Sequence, residues 1–260
     1  IVAIHGLDTE SPRTWMAWKQ PGNPSAGQVH WLRDREMLPS VVPNARILTY
    51  DWNAAIVDSA ADILLGHADG LLDRLHESSD RPIVFIASCF GGLLLAKALH
   101  RAQEVPEYRG ILRSTVGIAF LGTPFRGAHE SFCTANQLRI SVAMQASGEA
   151  SSDLIRYLQK DNGGRELDES IQRFCEMVEN EEYKFPMVCF YETQRTDFTK
   201  VLRHLPPQII ESLDSNHTGI VRFATAHVST PINSLLSLSR ASQHASKVPV
   251  ALDWTSDILC

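Results

Sequence analysis

The sequence predicts an α/β architecture built on a mostly parallel sheet, on three observations. Apolar runs of strand length at Ile1-Val2-Ala3-Ile4, Arg46-Ile47-Leu48-Thr49-Tyr50, Ile83-Val84-Phe85-Ile86-Ala87 and Ser114 to Leu121 alternate with segments of helical period. The run Ile83 to Ala87 is apolar at every position, as a central parallel strand covered on both faces must be. It leads into a turn of small residues with Cys89 at the apex and then a helix, the shape of a turn that presents a nucleophile, with Ala87 and Gly91 as the small flanking residues. A buried thiol in an ordinary strand-to-helix turn is the alternative.

In chain order, the first strand, Ile1 to Ile4, runs into His5-Gly6-Leu7-Asp8, where glycine permits a tight turn with an exposed amide nearby. Thr9 to Arg33 is expected as a long loop whose Trp15, Trp18 and Trp31 pack on the body or line a cleft. Asp34 can cap a short helix ending near Pro39, and Arg46 to Tyr50 gives the second strand. Ile56, Ala60, Ile63, Leu64, Leu71 and Leu75 mark an amphipathic helix over 56–75. The third strand follows Pro82, and the helix from Gly91 to about Gln103 is apolar nearly all round, hence buried. A fourth strand ends at Gly122-Thr123-Pro124. Residues 128–183 hold helical patches at 135–147, 152–159 and 167–178, interrupted by Asn162-Gly163-Gly164, and are expected to form a helical lid over Cys89. The acidic run Glu176 to Glu182 is a solvated face. Pro186 to Tyr191 is the next strand, ended by Glu192, and Val201 to Ile210 gives a last strand or edge before His217.

No linker divides the 260 residues, so one domain is expected: a core over 1–223 with the lid at about 128–183, and a C-terminal extension over 224–260 packed on the core or running to another domain. Hydrophobic content of 44% and charged content of 21% are ordinary for a soluble globular protein. A net charge of −6 without a Lys/Arg stripe argues against nucleic acid as a partner. Apolar runs fall far short of the ~20 residues of a transmembrane helix. The five cysteines, Cys89, Cys133, Cys175, Cys189 and Cys260, lack short paired spacing, which argues against a disulfide framework or zinc cluster and suits a reducing, cytoplasmic setting. No metal or organic cofactor is expected.

Ligands of open parallel sheets bind at the carboxyl ends of the strands. Four such ends carry useful groups here: His5-Gly6-Leu7, Cys89, Glu192 and His217. The order nucleophile, acid, histidine is a known catalytic order on such sheets.

Together with Trp31-Leu32-Arg33-Asp34, Phe120-Leu121-Gly122-Thr123-Pro124-Phe125-Arg126-Gly127, Phe190-Tyr191-Glu192-Thr193 and Asn216-His217-Thr218-Gly219, these motifs carry a family resemblance over residues 1–223. The chain resembles the SERAC1-like or DUF676-like, lipase-like branch of the α/β-hydrolase superfamily, including the domains found at the front of fungal NLR-type receptors. The resemblance implies the α/β-hydrolase fold and an elbow reading Gly-His-Ser-Leu-Gly-Gly. This chain has Ala87, Ser88 and Cys89 in place of Gly, His and Ser, and Phe125 where His is common.

The chemistry so implied is a Cys89 thiolate, favoured by the amino end of the helix beside it and by a neighbouring imidazole. His217 serves as general base and acid, and Glu192 orients it, with Asp197 as the reserve acid. The oxyanion hole takes the amides of Leu7 and Phe90. His5 is expected to be structural, hydrogen-bonded beneath its turn, and Ser88 to point away from the oxyanion donors. The substrate would be an ester, thioester or amide of a small molecule, lipid or peptide, with hydrolysis or acyl transfer as the outcome. Phe132, Leu138, Ile140, Met144, Leu154 and Leu158 of the lid could take an apolar acyl group. Two other readings stand beside this one: a catalytically weakened scaffold that binds a ligand or serves a larger receptor, and a Ser-to-Cys variant of a serine esterase.

Overall fold

Strands that are apolar at successive positions must bury both faces, and the observed sheet does so. The structure is a computed structural model that describes residues 1–6, 11–20, 23–53, 60–76, 81–123, 125, 161–183, 186–192 and 210–213. Its elements are β1 (Val2–Ile4), α1 (Ser11–Thr14), β2 (Met16–Trp18), β3 (Gln28–His30), α2 (Leu38–Val41), β4 (Leu48–Tyr50) and α3 (Ala60–His76). They continue with β5 (Ile83–Ser88), α4 (Phe90–Glu104), α5 (Arg109–Ser114), β6 (Thr115–Leu121), α6 (Asp161–Glu179), β7 (Met187–Glu192) and β8 (Ile210–Leu213). Six strands form one parallel sheet in the order β4-β1-β5-β6-β7-β8, and β2 and β3 pair separately as an antiparallel ribbon.

Strand alternation separates two cores. Val2, Ile4, Phe85, Ala87, Ile118, Phe120, Met187 and Cys189 face α3, α4, α5 and α6. Ala3, Ile86, Ala119, Leu121, Val188 and Phe190 face the ribbon and α2, through Trp15, Trp31, Leu32, Met37 and Leu38. Helices therefore cover both faces of a mostly parallel sheet, as expected. Within the described residues the helical insertion between β6 and β7 is represented by α6, whose Ile171, Phe174, Met177 and Val178 are buried, with the Phe174 ring against those of Phe120 and Phe125. Residues 126–160, which carry the other expected helical patches and the lid side chains, lie outside the described residues, as do 214–260.

Four expectations need correction. The segment over 9–33 is not simply a loop: it holds α1 and the β2–β3 ribbon, with Met16 opposite His30 and Trp18 opposite Gln28. Asp34 does not cap a helix ending near Pro39; its Oδ2 accepts from the His30 amide at 2.8 Å, and α2 begins at Leu38. Asn162-Gly163-Gly164 does not interrupt a helix but lies in the first turn of α6, where backbone strain is least costly. The short helix α5, not foreseen, carries the chain from α4 into β6, burying Ile111 and Leu112.

Three histidines are expected to make this fold less stable in acid. Burial holds His67 below its ordinary value of 6.5, against a backbone hydrogen bond at Asn53 that raises it. Burial also lowers His100, with Glu104 opposing, and lowers His30, with Arg33 adding to the shift. Each folded value lies below the unfolded one, so the unfolded chain binds more protons as the pH falls. The stabilisation is complete above the unfolded value and is lost as the pH drops through the folded values. The urea midpoint is expected to fall between pH 7.5 and 5.5, less steeply in His67→Gln; an identical slope in that variant would contradict the assignment.

Candidate active site

At the end of β5 the chain reverses from strand to helix within one residue. Cys89 takes φ 50° and ψ −126°, the one non-glycine residue with positive φ among those described. Such a conformation costs on the order of 1–3 kcal/mol in a β-carbon-bearing residue and survives only where its surroundings enforce it. Here the Cys89 amide donates to the Leu121 carbonyl at 2.9 Å, tying the apex to β6, and the Gly92 amide donates back to the Cys89 carbonyl at 3.1 Å.

Three glycines make room for the turn. A β-carbon on Gly91 would lie 2.4 Å from the His5 carbonyl oxygen and 2.8 Å from that of Ile4. On Gly92 it would lie 2.1 Å from Thr123 Oγ1, and on Gly6 2.7 Å from the Cys89 β-carbon. The turn after β1, the Cys89 apex and the start of α4 thus meet backbone to backbone. Thr123 is 1% exposed, and its hydroxyl has no partner among the described residues.

The thiol of Cys89 sits at the amino end of α4, and the residue is 7% exposed. Phe90 is the first residue of α4, so its amide belongs to the turn whose donors have no intrahelical acceptor. Glu192 ends β7 opposite Leu213. Register aligns Ala87 with Phe120 and Phe120 with Cys189, which brings the backbones of Cys89 and Glu192 to the same carboxyl edge, two strands apart. At the usual strand spacing that is roughly 10 Å of lateral separation. Leu7, Asp197 and His217 lie outside the described residues. Ser88 belongs to β5 and by alternation shares the face of Ile86, opposite to Cys89.

His5 is 1% exposed and hydrogen-bonded beside its turn: Nδ1 lies 2.8 Å from the Gly6 carbonyl oxygen, and Nε2 accepts from the Trp52 amide at 3.4 Å. The Trp52 indole N–H donates to the His5 carbonyl at 2.9 Å and its ring stacks on the imidazole. Asp51, whose Oδ1 accepts from the Ser11 amide at 2.9 Å, approaches Nε2 at 3.4 Å. Asp51 and Trp52 were not singled out from sequence; the available signal was their place immediately after β4, at the sheet's carboxyl edge.

Two other described thiols lie away from the apex. Burial, with Cys175 adding to it, pushes the Cys189 thiol up to about 12; burial, then Glu179 and Glu176, pushes Cys175 up to about 11. Since the thiolate is the reactive form, iodoacetamide at pH 7.5 is expected to spare both in the native protein and to modify both after denaturation. Peptide mapping would refute this by finding either alkylated in the folded chain. Among the described residues no helix is long and apolar enough to cross a membrane, and no group of three or more His, Cys, Asp or Glu is arranged to hold a metal ion.

No family model matches the chain. It is 24% identical to the protein SERAC1 of Bos taurus over 239 residues, covering 85% of this chain and 33% of that protein. It is 26% identical to SERAC1 of Mus musculus over 231 residues, covering 82% and 33%. The chain thus spans about a third of the length of these curated relatives. Among solved structures it is similar to a haloalkane dehalogenase loop variant from Bradyrhizobium elkanii, at TM-score 0.54 and 13% identity, covering 94% of this chain and 91% of that one. It is also similar to the mature Bacillus licheniformis lipase BlEst2, at TM-score 0.51 and 14% identity, covering 90% of each. The parallel sheet, the strand-to-helix turn at Cys89 and the likeness to these solved structures make this an α/β-hydrolase fold, and its sequence is similar at a distance to SERAC1.

Proposed function

We propose that the chain is a cysteine-dependent hydrolase or acyltransferase acting through Cys89, His217 and Glu192. The observation that carries this reading is the conformation of Cys89: a strained apex between β5 and α4, held by β6, in a fold shared with lipases and esterases. A side chain kept in such a conformation without a glycine is a mark of functional use.

In the proposed reaction the Cys89 thiol gives its proton to His217, and the sulfur attacks the acyl carbonyl carbon and forms a carbon–sulfur bond. The carbonyl oxygen gains the negative charge and is held by the amides of Phe90 and Leu7. Collapse breaks the bond to the leaving group, which takes its proton from His217, and leaves a thioester on Cys89. Water, an amine or a thiol, deprotonated by His217, then attacks the thioester and regenerates the thiol. Glu192 accepts the other imidazole N–H and fixes the tautomer. The substrate class is an ester, thioester or amide of a small molecule, lipid or peptide, and the helical insertion serves as its lid. Attachment to further domains, as in fungal NLR-type receptors, and a cytoplasmic setting belong to the same reading.

The test is intact-mass spectrometry after exposure to a panel of activated esters and thioesters. One acyl adduct per chain is expected, mapped to Cys89. The absence of any adduct, or one that persists in Cys89→Ala, would overturn the proposal.

A further inference from the structure

We propose that His100 is an acid-sensitive latch whose protonation releases α6, the described part of the helical insertion, from α4. The proposal stands on the seam between these two helices and is independent of the reading of Cys89.

The seam combines an apolar floor with a polar rim. Ile171, Phe174, Met177 and Val178 of α6 enter the core, and two charged groups of α4 reach α6 above them. Lys97 Nζ donates to Ser170 Oγ at 3.1 Å, and Ser170 is buried. Two turns further along α4, the Glu104 carboxylate is shared between the helices. Its Oε1 lies 3.9 Å from Arg173 Nη1 of α6 and 4.0 Å from His100 Nε2, and its Oε2 lies 3.7 Å from Arg101 Nη1. Arg101 Nε reaches on to Asp69 Oδ1 of α3 at 3.2 Å. Lys97 and Glu104 lie one turn to either side of His100, so all three share the face of α4 that α6 covers. There the His100 side chain is only 12% exposed, against 45% for Glu104 and 55% for Arg173. The imidazole is the member of this cluster that loses most hydration when it is charged.

What each helix contributes sets the sign. From α4 itself, Glu104 favours a proton on His100 and Lys97 opposes it, and both stay beside the ring whether or not α6 is in place. From α6, Arg173 opposes the proton, and Glu176, which accepts from Gln172 at 2.8 Å, favours it more weakly than Arg173 opposes it. Burial is the largest influence of all and also opposes it. Docking of α6 therefore weakens proton binding at His100, and by linkage protonation weakens docking as the pH falls through the histidine range. With an undocked histidine at its ordinary 6.5, the docking equilibrium can shift by at most roughly tenfold between pH 7.5 and 5.5. A helix of 19 residues with two glycines in its first turn draws most of its stability from packing, so release from α4 exposes its amides to solvent.

The test is hydrogen exchange of the whole chain, read by mass spectrometry as protection factors at pH 7.5 and 5.5 for peptides covering residues 170–179, β5 and β6. Protection over 170–179 is expected to fall several-fold, up to roughly tenfold, and further than that of β5 or β6. His100→Gln, which cannot take the charge, is expected to abolish this excess. In Arg173→Gln the cation brought by α6 is gone, so His100 is expected to titrate at a higher pH than in the parent, followed by the NMR shift of its imidazole carbon-bound protons. An equal loss of protection in α6 and β5, or an excess that persists in His100→Gln, would overturn the proposal. So would a His100 titration unmoved by Arg173→Gln, a comparison that stands even if His100→Gln fails to fold.

Discussion

Alanine at Cys89 is expected to reduce acyl turnover to the uncatalysed background and to remove the covalent adduct altogether. The size of the effect follows from the chemistry: without sulfur there is no acyl-enzyme, and only substrate binding and the oxyanion amides remain, which in serine triads leave a small residual rate. His217→Ala is expected to cost at least roughly a thousandfold in kcat, and the double variant no more than the larger single loss, because nucleophile and base act as one unit. Stopped-flow release of p-nitrophenol with intact-mass detection measures both effects. Additive losses in the double variant would show that His217 does not serve Cys89. Cys89→Ser separates two histories of the site: a gain in ester hydrolysis would mark a modified serine esterase, and a loss would mark a site adapted to sulfur.

Gly91→Ala is expected to be the most damaging small substitution in the described fold. The added methyl would meet backbone oxygens, His5 at 2.4 Å and Ile4 at 2.8 Å, and backbone of a central strand has nowhere to go. Pushing α4 off β1 should cost roughly 3 kcal/mol, in the range of core overpacking, or a fall in Tm of roughly 10 °C at this size. Gly92→Ala differs in kind. Its nearest obstacles are Thr123 Oγ1 at 2.1 Å and Cγ2 at 2.4 Å, the end of one side chain, with Cβ at 2.8 Å behind them. Truncation in Gly92→Ala/Thr123→Ala should therefore restore part of the lost stability, whereas no single truncation should rescue Gly91→Ala. Thermal melts of the three variants check this, and full recovery of Gly91→Ala by truncation of a neighbouring side chain would show that the contact is not backbone.

How much was legible depended on how local the signal was. β1, β5, β6 and β7 are apolar runs of three to seven residues whose alternation is imposed by burial on two faces, so composition alone marks them. The ribbon of β2 and β3 is different. Met16-Ala17-Trp18 and Gln28-Val29-His30 are each too short to carry a period, and they become strands because each supplies the other's partners. The same holds for the lone turn of α2, which begins four residues after Asp34 and buries Leu38 in one cluster with Trp31 and Trp15.

The sheet's parallel character, the strand-to-helix turn and the thiol at its apex are readable before any fold is known, because each is written in residues adjacent along the chain. Small residues around Cys89 announce close approach, but do not say to what. It takes the folded chain to bring Gly91 against the β1 backbone, Gly92 against Thr123, Gly6 against Cys89, and Asp51 and Trp52 round His5. Those contacts join residues up to 87 positions apart, such as Ile4 and Gly91, and arise from the register of neighbouring strands. A strand's register is settled by the partner beside it, through hydrogen bonds and packing across the sheet, so it has no counterpart in any one stretch of sequence.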